Sequence, residues 1–341
     1  MKRICVEKLN DLYAAIGAKQ SLILPIKQAG QTNFGLWTED AQVDLQTLKT
    51  VKSPKDAFFP QSENLYTCYK DGKKISIAPE KPQEESFVVF GIKACDVRGI
   101  AVLDKVFLSD PVDSYYAARR QHGTIVSLAC AQPEESCFCK SFGINCAQPE
   151  GDVVTWLADG YLYWQAATDK GETLTALVAH LLEETDDKAV SAQKAQIAAI
   201  YEKLPYADLS LEGWGGDCLK EKFDSPLWEQ LYKPCLACGT CTFVCPTCQC
   251  YDIKDYDTGN GVQRYRCWDS CMYSDFTMMA HGNNRTSQMQ RFRQRFMHKL
   301  VYFPANNGGM YSCVGCGRCV EKCPSHLNIV KVIKAFRKEE K

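Results

Sequence analysis

Cysteines are the residues with the clearest chemistry in this 341-residue chain, which has 20 of them. Eight form two runs with the spacing C-x2-C-x2-C-x3-C-P, at residues 235–246 and 313–324. This spacing binds a 4Fe-4S cluster in bacterial ferredoxins, because one tight loop supplies three of the four thiolates that a cuboidal cluster needs. Gly239 and Gly317 lie inside the loops, where a residue without Cβ lets the backbone adopt a positive φ. The repeated spacing therefore predicts two 4Fe-4S clusters.

When two such runs occur together, the cysteine before the proline ligates the other cluster, so that the runs exchange their last thiolate. This rule divides the eight cysteines into two groups. The first set is Cys235, Cys238, Cys241 and Cys323, and the second set is Cys313, Cys316, Cys319 and Cys245. Structural zinc and disulfides are the alternatives. Zinc pairs two C-x2-C halves, however, and has no use for further cysteines at these offsets.

A third group of cysteines follows two apolar segments, residues 86–92 and 124–129, that predict strands buried on both faces. A helical pattern between them makes this a βαβ unit, so the strands should be parallel neighbours with their carboxyl ends at one edge. Open α/β sheets place ligands at that edge. We predict a third 4Fe-4S cluster held there by the third set, which is Cys95, Cys130, Cys137 and Cys139.

Alternatives remain open for the third set. Zinc is the main rival, because the prediction depends on inferred strands and not on a spacing rule. Asp96 is placed to cap the helix that follows the first strand, and it could replace one thiolate. Cys146 is a spare thiol close by in the sequence.

The segment between the two runs, residues 246–312, contains further cysteines and a basic stretch at 285–299. Its cysteines form either a fourth metal site or packing around the two clusters; they are Cys248, Cys250, Cys267 and Cys271. Residues 272–301 predict mainly helix, which favours an α-helical ferredoxin domain. The formal net charge of −1 argues against nucleic-acid binding. We expect the basic stretch to offset the negative charge of the clusters or to dock a partner.

These groups require an α+β or α/β fold with two parts. We predict an α/β domain at residues 1–205, a linker at 206–224 and a ferredoxin-like domain with a helical insertion at 225–341. A chain of this length needs no disulfide staples, so its cysteines indicate metal ligation in a reducing compartment. No signal peptide and no long apolar stretch is evident, which predicts a cytoplasmic protein without membrane insertion.

Several motifs together resemble one known family. They are Ala94-Cys95-Asp96, Cys137-Phe-Cys139-Lys-Ser-Phe-Gly143, the run at 235–246 continued by Thr247-Cys248-x-Cys250, Trp268-Asp-Ser-Cys271, and Cys313-Val-Gly-Cys316-Gly-Arg-Cys319. The chain from about residue 53 onward is similar to a family of iron-sulfur subunits of anaerobic sulfite reductase, which includes the iron-sulfur beta subunit of cytoplasmic sulfhydrogenases. Nothing distinctive marks the first 50 residues.

The resemblance implies an electron-transfer subunit of an oxidoreductase complex, without catalytic residues of its own. Its partners would be a subunit that oxidises NAD(P)H with a flavin and a catalytic metalloenzyme subunit of the sulfite reductase or hydrogenase type. One alternative is a self-contained flavin-dependent enzyme, but no G-x-G-x-x-G follows a strand. Another is a redox-sensing iron-sulfur protein, for which no nucleic-acid reader motif is evident.

Overall fold

The fold is known from a computed structural model, which describes residues 1–339. Its strands, in chain order, are β1 Lys2–Cys5, β2 Ser21–Gln28, β3 Gln31–Leu36, β4 Ser62–Asp71, β5 Lys74–Pro79, β6 Phe87–Ile92, β7 Gly123–Leu128, β8 Val153–Ala158, β9 Tyr161–Ala166, β10 Glu183–Glu184, β11 Tyr251–Asp257, β12 Gly261–Trp268, β13 Met278–Met279 and β14 Gly282–Asn283.

The α-helices are α1 Leu9–Gly17, α2 Ala94–Phe107, α3 Ser114–His122, α4 Asp169–Leu177, α5 Lys188–Tyr201, α6 Leu219–Asp224, α7 Trp228–Leu231, α8 Thr240–Phe243, α9 Gln288–Met297, α10 Phe303–Asn306, α11 Arg318–Glu321 and α12 Ile329–Glu339. A π-helical turn, His298–Tyr302, joins α9 to α10.

The largest element is an eight-stranded mixed sheet with the order β10-β1-β9-β8-β7-β6-β2-β3. Its central strands β2, β6, β7 and β8 are parallel, and every residue of β6 and β7 is buried. Apolar clusters cover both faces of these strands, as their continuous apolar sequences predict. The predicted βαβ unit is therefore confirmed, and a turn at residues 159–160 joins the antiparallel pair β8 and β9.

A second sheet has four antiparallel strands in the order β11-β12-β4-β5. It joins residues on both sides of the predicted linker, because β12 pairs with β4 along most of its length. The division of the chain at residues 206–224 stays a prediction, although Trp214 in that segment is 7% exposed and packs against Phe336 of α12.

The mixed α/β architecture is confirmed, but the segment between the cysteine runs is less helical than its sequence indicates. It begins with the hairpin β11–β12 and reaches a regular helix only at Gln288. The hairpin was missed because β11 is mostly exposed and rich in charged residues, so it lacks the apolar alternation that marks a half-buried strand. From Gln288 onward, Phe292 and Phe296 pack against Trp228 in an aromatic core.

Candidate iron-sulfur centres

The two cysteine runs adopt the same backbone geometry. In each, a glycine with positive φ follows the second cysteine: Gly239 at +73° and Gly317 at +78°. A one-turn helix then begins, α8 in the first run and α11 in the second, and carries the third cysteine. A Cβ on Gly317 would lie 2.5 Å from Ser136 Oγ, so this close approach also requires glycine.

The first set lies around one small cavity. Its walls include Cys235, Cys238, Cys241 and Cys323. The last of these thiols comes from the other run, which is the arrangement that exchange of ligands predicts. The buried residues Phe292, Phe296 and Arg295 also line the cavity, so its wall combines aromatic side chains with one positive charge.

The second set lies deeper in the molecule. Burial raises the pKa of the Cys313 thiol to about 12, and Cys319 and Cys245 are its neighbouring thiols. Cys245 is brought to this set by two contacts of the following segment: Thr247 Oγ1 donates to the Ser312 carbonyl at 2.8 Å, and Lys299 Nζ lies 3.4 Å from Cys245 Sγ. The runs thus meet where exchange of the last thiolate needs them to meet.

Two buried cations, Arg295 and Lys299, lie among these thiols, and each is 3% exposed. The negative partners of Arg295 are thiols of both sets, chiefly Cys241 and Cys319, and its Nε has no hydrogen-bond partner among residues 1–339. Buried charge is costly unless it is paired. A cluster with four thiolates is negatively charged and supplies that pairing, so these residues fit iron-sulfur clusters.

The third set lies at the predicted sheet edge. Cys130 follows β7, Cys95 lies in the first turn of α2 after β6, and the segment containing Cys137 and Cys139 covers the edge. These cysteines belong to one buried apolar cluster, at whose margin Cys95 lies. The topology argument therefore located a group of neighbouring thiols that no spacing rule describes.

Cys146 is more central in this group than its description as a spare thiol suggests. The Cys130 N–H donates to the Cys146 carbonyl at 3.0 Å, and the neighbouring thiols of Cys130 and Cys139 raise the pKa of Cys146. Cys95 instead lies between the third set and the second set, since Cys130 and Cys316 both raise its pKa after the larger effects of burial and Asp96.

Asp96 does not cap α2, contrary to prediction. The N-cap is Lys93, which makes no side-chain cap bond. Asp96 instead accepts two hydrogen bonds from Arg318, at 2.6 and 2.8 Å, and both side chains are 2% exposed. With both carboxylate oxygens held by a guanidinium, Asp96 is already paired in a strong bidentate contact.

The same region ties the third set to the second run. Phe138 N–H donates to the Gly315 carbonyl at 2.9 Å, and Arg318 Nε donates to the Thr50 carbonyl at 3.0 Å. The loop between Cys137 and Cys139 therefore packs directly on the backbone between Cys313 and Cys316. The second and third sets are neighbours.

Access from the surface differs between the sets. Cys238 is exposed and follows Leu236, which is 68% exposed, so the first set reaches the surface. A cleft of about 1050 Å³ opens at the carboxyl edge of the large sheet, and Lys93, Ala129 and Ser136 line it beside the third set. The cleft lies where the topology places ligands.

Other basic residues have ordinary structural roles. Arg119 and Arg120 pair with carboxylates, Glu63 and Asp104, and Arg293 donates to the Phe223 carbonyl. Sequence reasoning missed the buried Lys55 and Lys93. The only signal was their closeness to buried segments, since Lys93 closely precedes the first cysteine of the third set.

No helix among residues 1–339 is long and apolar enough to cross a membrane. No group of three or more His, Cys, Asp or Glu side chains in that range is arranged to hold a single metal ion.

Comparison with known proteins bears on both halves of the chain. A family described as "4Fe-4S dicluster domain" matches residues 234–327, which contain both runs. Sulfhydrogenase 2 subunit beta of Pyrococcus furiosus is 34% identical over 316 residues, covering 92% of this chain and 91% of the relative. No solved structure matches significantly. The chain therefore belongs to the family of sulfhydrogenase beta subunits, with a 4Fe-4S dicluster domain in its carboxyl-terminal part.

Proposed function

We propose that this protein is the iron-sulfur electron-transfer subunit of a multi-subunit oxidoreductase. It passes electrons between a subunit that oxidises NAD(P)H with a flavin and a catalytic metalloenzyme subunit, and it has no catalytic residues of its own. The observation that carries the proposal is the cavity lined by three thiols of the first run and the last thiol of the second. The name of the relative, a sulfhydrogenase subunit, supports membership of such a complex.

In this proposal the first and second sets each hold one 4Fe-4S cluster, and the third set holds another. Such clusters, when bound, accept and release one electron at a time. The third cluster takes thiolates from Cys130, Cys137 and Cys139. Its last thiolate comes from Cys95 or from Cys146, and the positions of these two thiols make them direct competitors.

The rest of the chain holds and tunes these sites. Arg295 and Lys299 place positive charge among the thiols, which favours the thiolate form that binds metal and stabilises the reduced state. Phe292, Phe296 and Trp228 exclude water from the inner side of the first set. Low solvent access is one of the factors that set the potential of a cluster.

The positions of the three sets also indicate a path for electrons through the molecule. The first set reaches the surface at Leu236, the second set is buried, and the third set adjoins the large cleft. Because the second set contacts both of the others, electrons can enter at one end and leave at the other. We propose that the loop around Leu236 and the cleft face different partner subunits.

The direct test is the metal content of the full chain prepared without oxygen. Three clusters correspond to about twelve irons and as many sulfides per chain. Serine at both Cys137 and Cys139 should remove about four irons and leave the other clusters reducible, as EPR would show. An unchanged iron content would contradict the third cluster, and a colourless zinc protein would contradict the whole proposal.

Serine at Cys95 and at Cys146, one at a time, decides the last ligand of the third cluster. The variant that lacks the true ligand should lose that cluster or change its EPR signal, and the other variant should match the wild type. Flavin absorbance in the isolated chain would instead favour a self-contained flavin enzyme. Isolation of the native complex would identify the partners.

A further inference from the structure

Three cysteines near the two runs remain unassigned: Cys248, Cys250 and Cys271. We call them the hairpin-base thiols, because they lie at the open end of the hairpin β11–β12. In its register Tyr251 is opposite Trp268, and Asp269 N–H donates to the Cys250 carbonyl at 2.9 Å. This pairing places the chain just before β11 beside the chain just after β12. It brings Cys250 and Cys271 together from positions 21 residues apart.

Hydrogen bonds fix this hairpin base between the two runs. Thr242 Oγ1, in the first run, donates to Ser270 Oγ at 2.9 Å, and Ser270 is fully buried next to Cys271. Thr247, next to Cys248, donates to the Ser312 carbonyl at 2.8 Å, directly before the second run. The hairpin-base thiols therefore occupy a fixed place among the cluster sites.

Buried positive charge surrounds them. Lys55 is 3% exposed; its Nζ donates to the Cys248 carbonyl at 2.8 Å and lies 3.8 Å from the centre of the Trp268 ring. The charges of Lys55 and Lys299 act on Cys248 and Cys250, and that of Arg295 acts on Cys271. Lys55 is thus a buried cation in addition to Arg295 and Lys299, which lie among the first and second sets, and buried charge is costly unless negative charge lies beside it.

Arg295, which lies among the first and second sets, also faces one hairpin-base thiol, Cys248. Its side chain is only 3% exposed, yet Nε has no hydrogen-bond partner among the described residues. The thiols it faces include Cys248 as well as members of the first and second sets. An unpartnered buried donor facing several thiols indicates an anionic group between them.

We propose that Cys248, Cys250 and Cys271 hold a fourth iron-sulfur cluster, through three thiolates and one non-cysteine ligand, beside the second set. This inference rests on the proposed electron-transfer function and extends it. Thiolates favour soft metal groups, iron-sulfur clusters among them, and the surrounding cations favour an anionic cluster. The fourth cysteine of this segment, Cys267, takes no part, since its nearest charged groups are Lys254 and Asp252 of the hairpin strands.

The experiment compares two variants of the full chain, both prepared and reconstituted without oxygen. In one, serine replaces all three hairpin-base thiols; in the other, Cys267→Ser is the matched control from the same hairpin. We expect the triple variant to contain about four irons and four sulfides fewer than the wild type, and the control to lose none. Mössbauer spectra of the wild type should contain a component from iron without thiolate ligation, absent from the triple variant.

Equal iron in the triple variant and the wild type would overturn the inference, as would loss of zinc in place of iron. If the triple variant fails to fold, the wild-type Mössbauer spectrum and Cys250→Ser alone decide the matter. A wild-type spectrum in which all iron has thiolate ligands, together with an unchanged cluster content in Cys250→Ser, would overturn the inference. Failure of the proposed function is distinguishable, because iron would then be missing from the wild type and not only from the variants.

Discussion

The two cysteine runs and the edge of the large sheet gather thiols by different means. In each run, a loop of twelve residues with a glycine of positive φ directly before its short helix positions three thiols by itself. At the sheet edge, the thiols come from α2, from the end of β7 and from the loop that follows. Only the folded sheet brings them together. The comparison teaches that a group of neighbouring thiols is encoded either in spacing or in topology, and only the first kind leaves a motif.

The balance of charge differs as well. Among the runs, Arg295 and Lys299 find their negative partners among thiols. At the junction with the sheet edge, Arg318 is paired with Asp96, and Lys49 is paired with Glu134 and Glu321. In the first region the buried charges therefore depend on thiols, whereas in the second region carboxylates pair Arg318 and Lys49, and Lys93 faces the thiols of Cys130 and Cys95.

The largest effect should come from removing clusters in the two regions separately. Serine at Cys241 and Cys319 removes a ligand from each run, and we expect the loss of about eight irons. Serine at Cys137 and Cys139 should remove about four. The first variant leaves Arg295 and Lys299 unpaired, so its carboxyl-terminal part should lose hydrogen-exchange protection. The second variant should keep that protection. Equal losses of protection in the two variants would contradict the proposed difference between the two regions.

The next largest effect should come from breaking the buried ion pair between Arg318 and Asp96. Arg318→Met leaves the Asp96 carboxylate buried without a partner, and removal of one member of such a pair costs about 3–5 kcal/mol of unfolding free energy. Denaturant unfolding of the cluster-loaded protein measures this loss. Replacing Asp96 by Leu as well should restore part of the stability, because no buried charge then remains.

The control for this pair is Arg264→Met, which breaks the exposed ion pair with Asp255 on the hairpin β11–β12. Exposed pairs contribute little, so its denaturation midpoint should match the wild type. If Arg318→Met and Arg264→Met have the same denaturation midpoint, then the buried pair does not stabilise the contact between the two regions. The proposed difference in how the two regions balance charge would then be wrong.

Much of this organisation was predictable from sequence, for physical reasons. The runs were readable because their loops are local, and β6 and β7 because strands buried on both faces are continuously apolar. The hairpin β11–β12 was not readable, since its outer strand β11, with Asp, Lys and Tyr, is mostly exposed and lacks the apolar face of a buried strand. The partner of Asp96 was also hidden, because Arg318 lies 222 residues away in the chain.

His298 offers a pH test of the first region. Burial lowers its pKa to about 4, and the positive charges of Lys299 and Arg285 add to the effect. In the unfolded chain an imidazole takes a proton near about pH 6.5. The contribution of the neutral His298 to the free energy of unfolding should therefore be fully present above about pH 6.5. It should fall as the pH drops from about 6.5 toward 4, with a loss of about 2 kcal/mol at about pH 5. In His298→Gln the free energy of unfolding should fall less steeply over this pH range. If the curves of the variant and the wild type are parallel, His298 does not have the lowered pKa.

The smallest effect tests whether the unpaired cations act on the clusters. Lys299 Nζ lies 3.4 Å from Cys245 Sγ, so Lys299→Met removes a buried positive charge beside the second set. Reduction adds negative charge, which Lys299 stabilises, and the variant should therefore have a lower potential. An electrostatic loss of about 1–2 kcal/mol corresponds to about 40–90 mV for one electron.

Redox titration followed by EPR measures this shift, and Lys299→Arg should keep most of the wild-type potential because it keeps the charge. Lys49→Met is the matched change at the sheet edge. Lys49 already forms ion pairs with Glu134 and Glu321, so its removal leaves less net change of charge near the third set. The third cluster should therefore shift less than the second. A larger shift at the sheet edge would mean that carboxylates do not screen that region and that both regions depend on their clusters for charge balance.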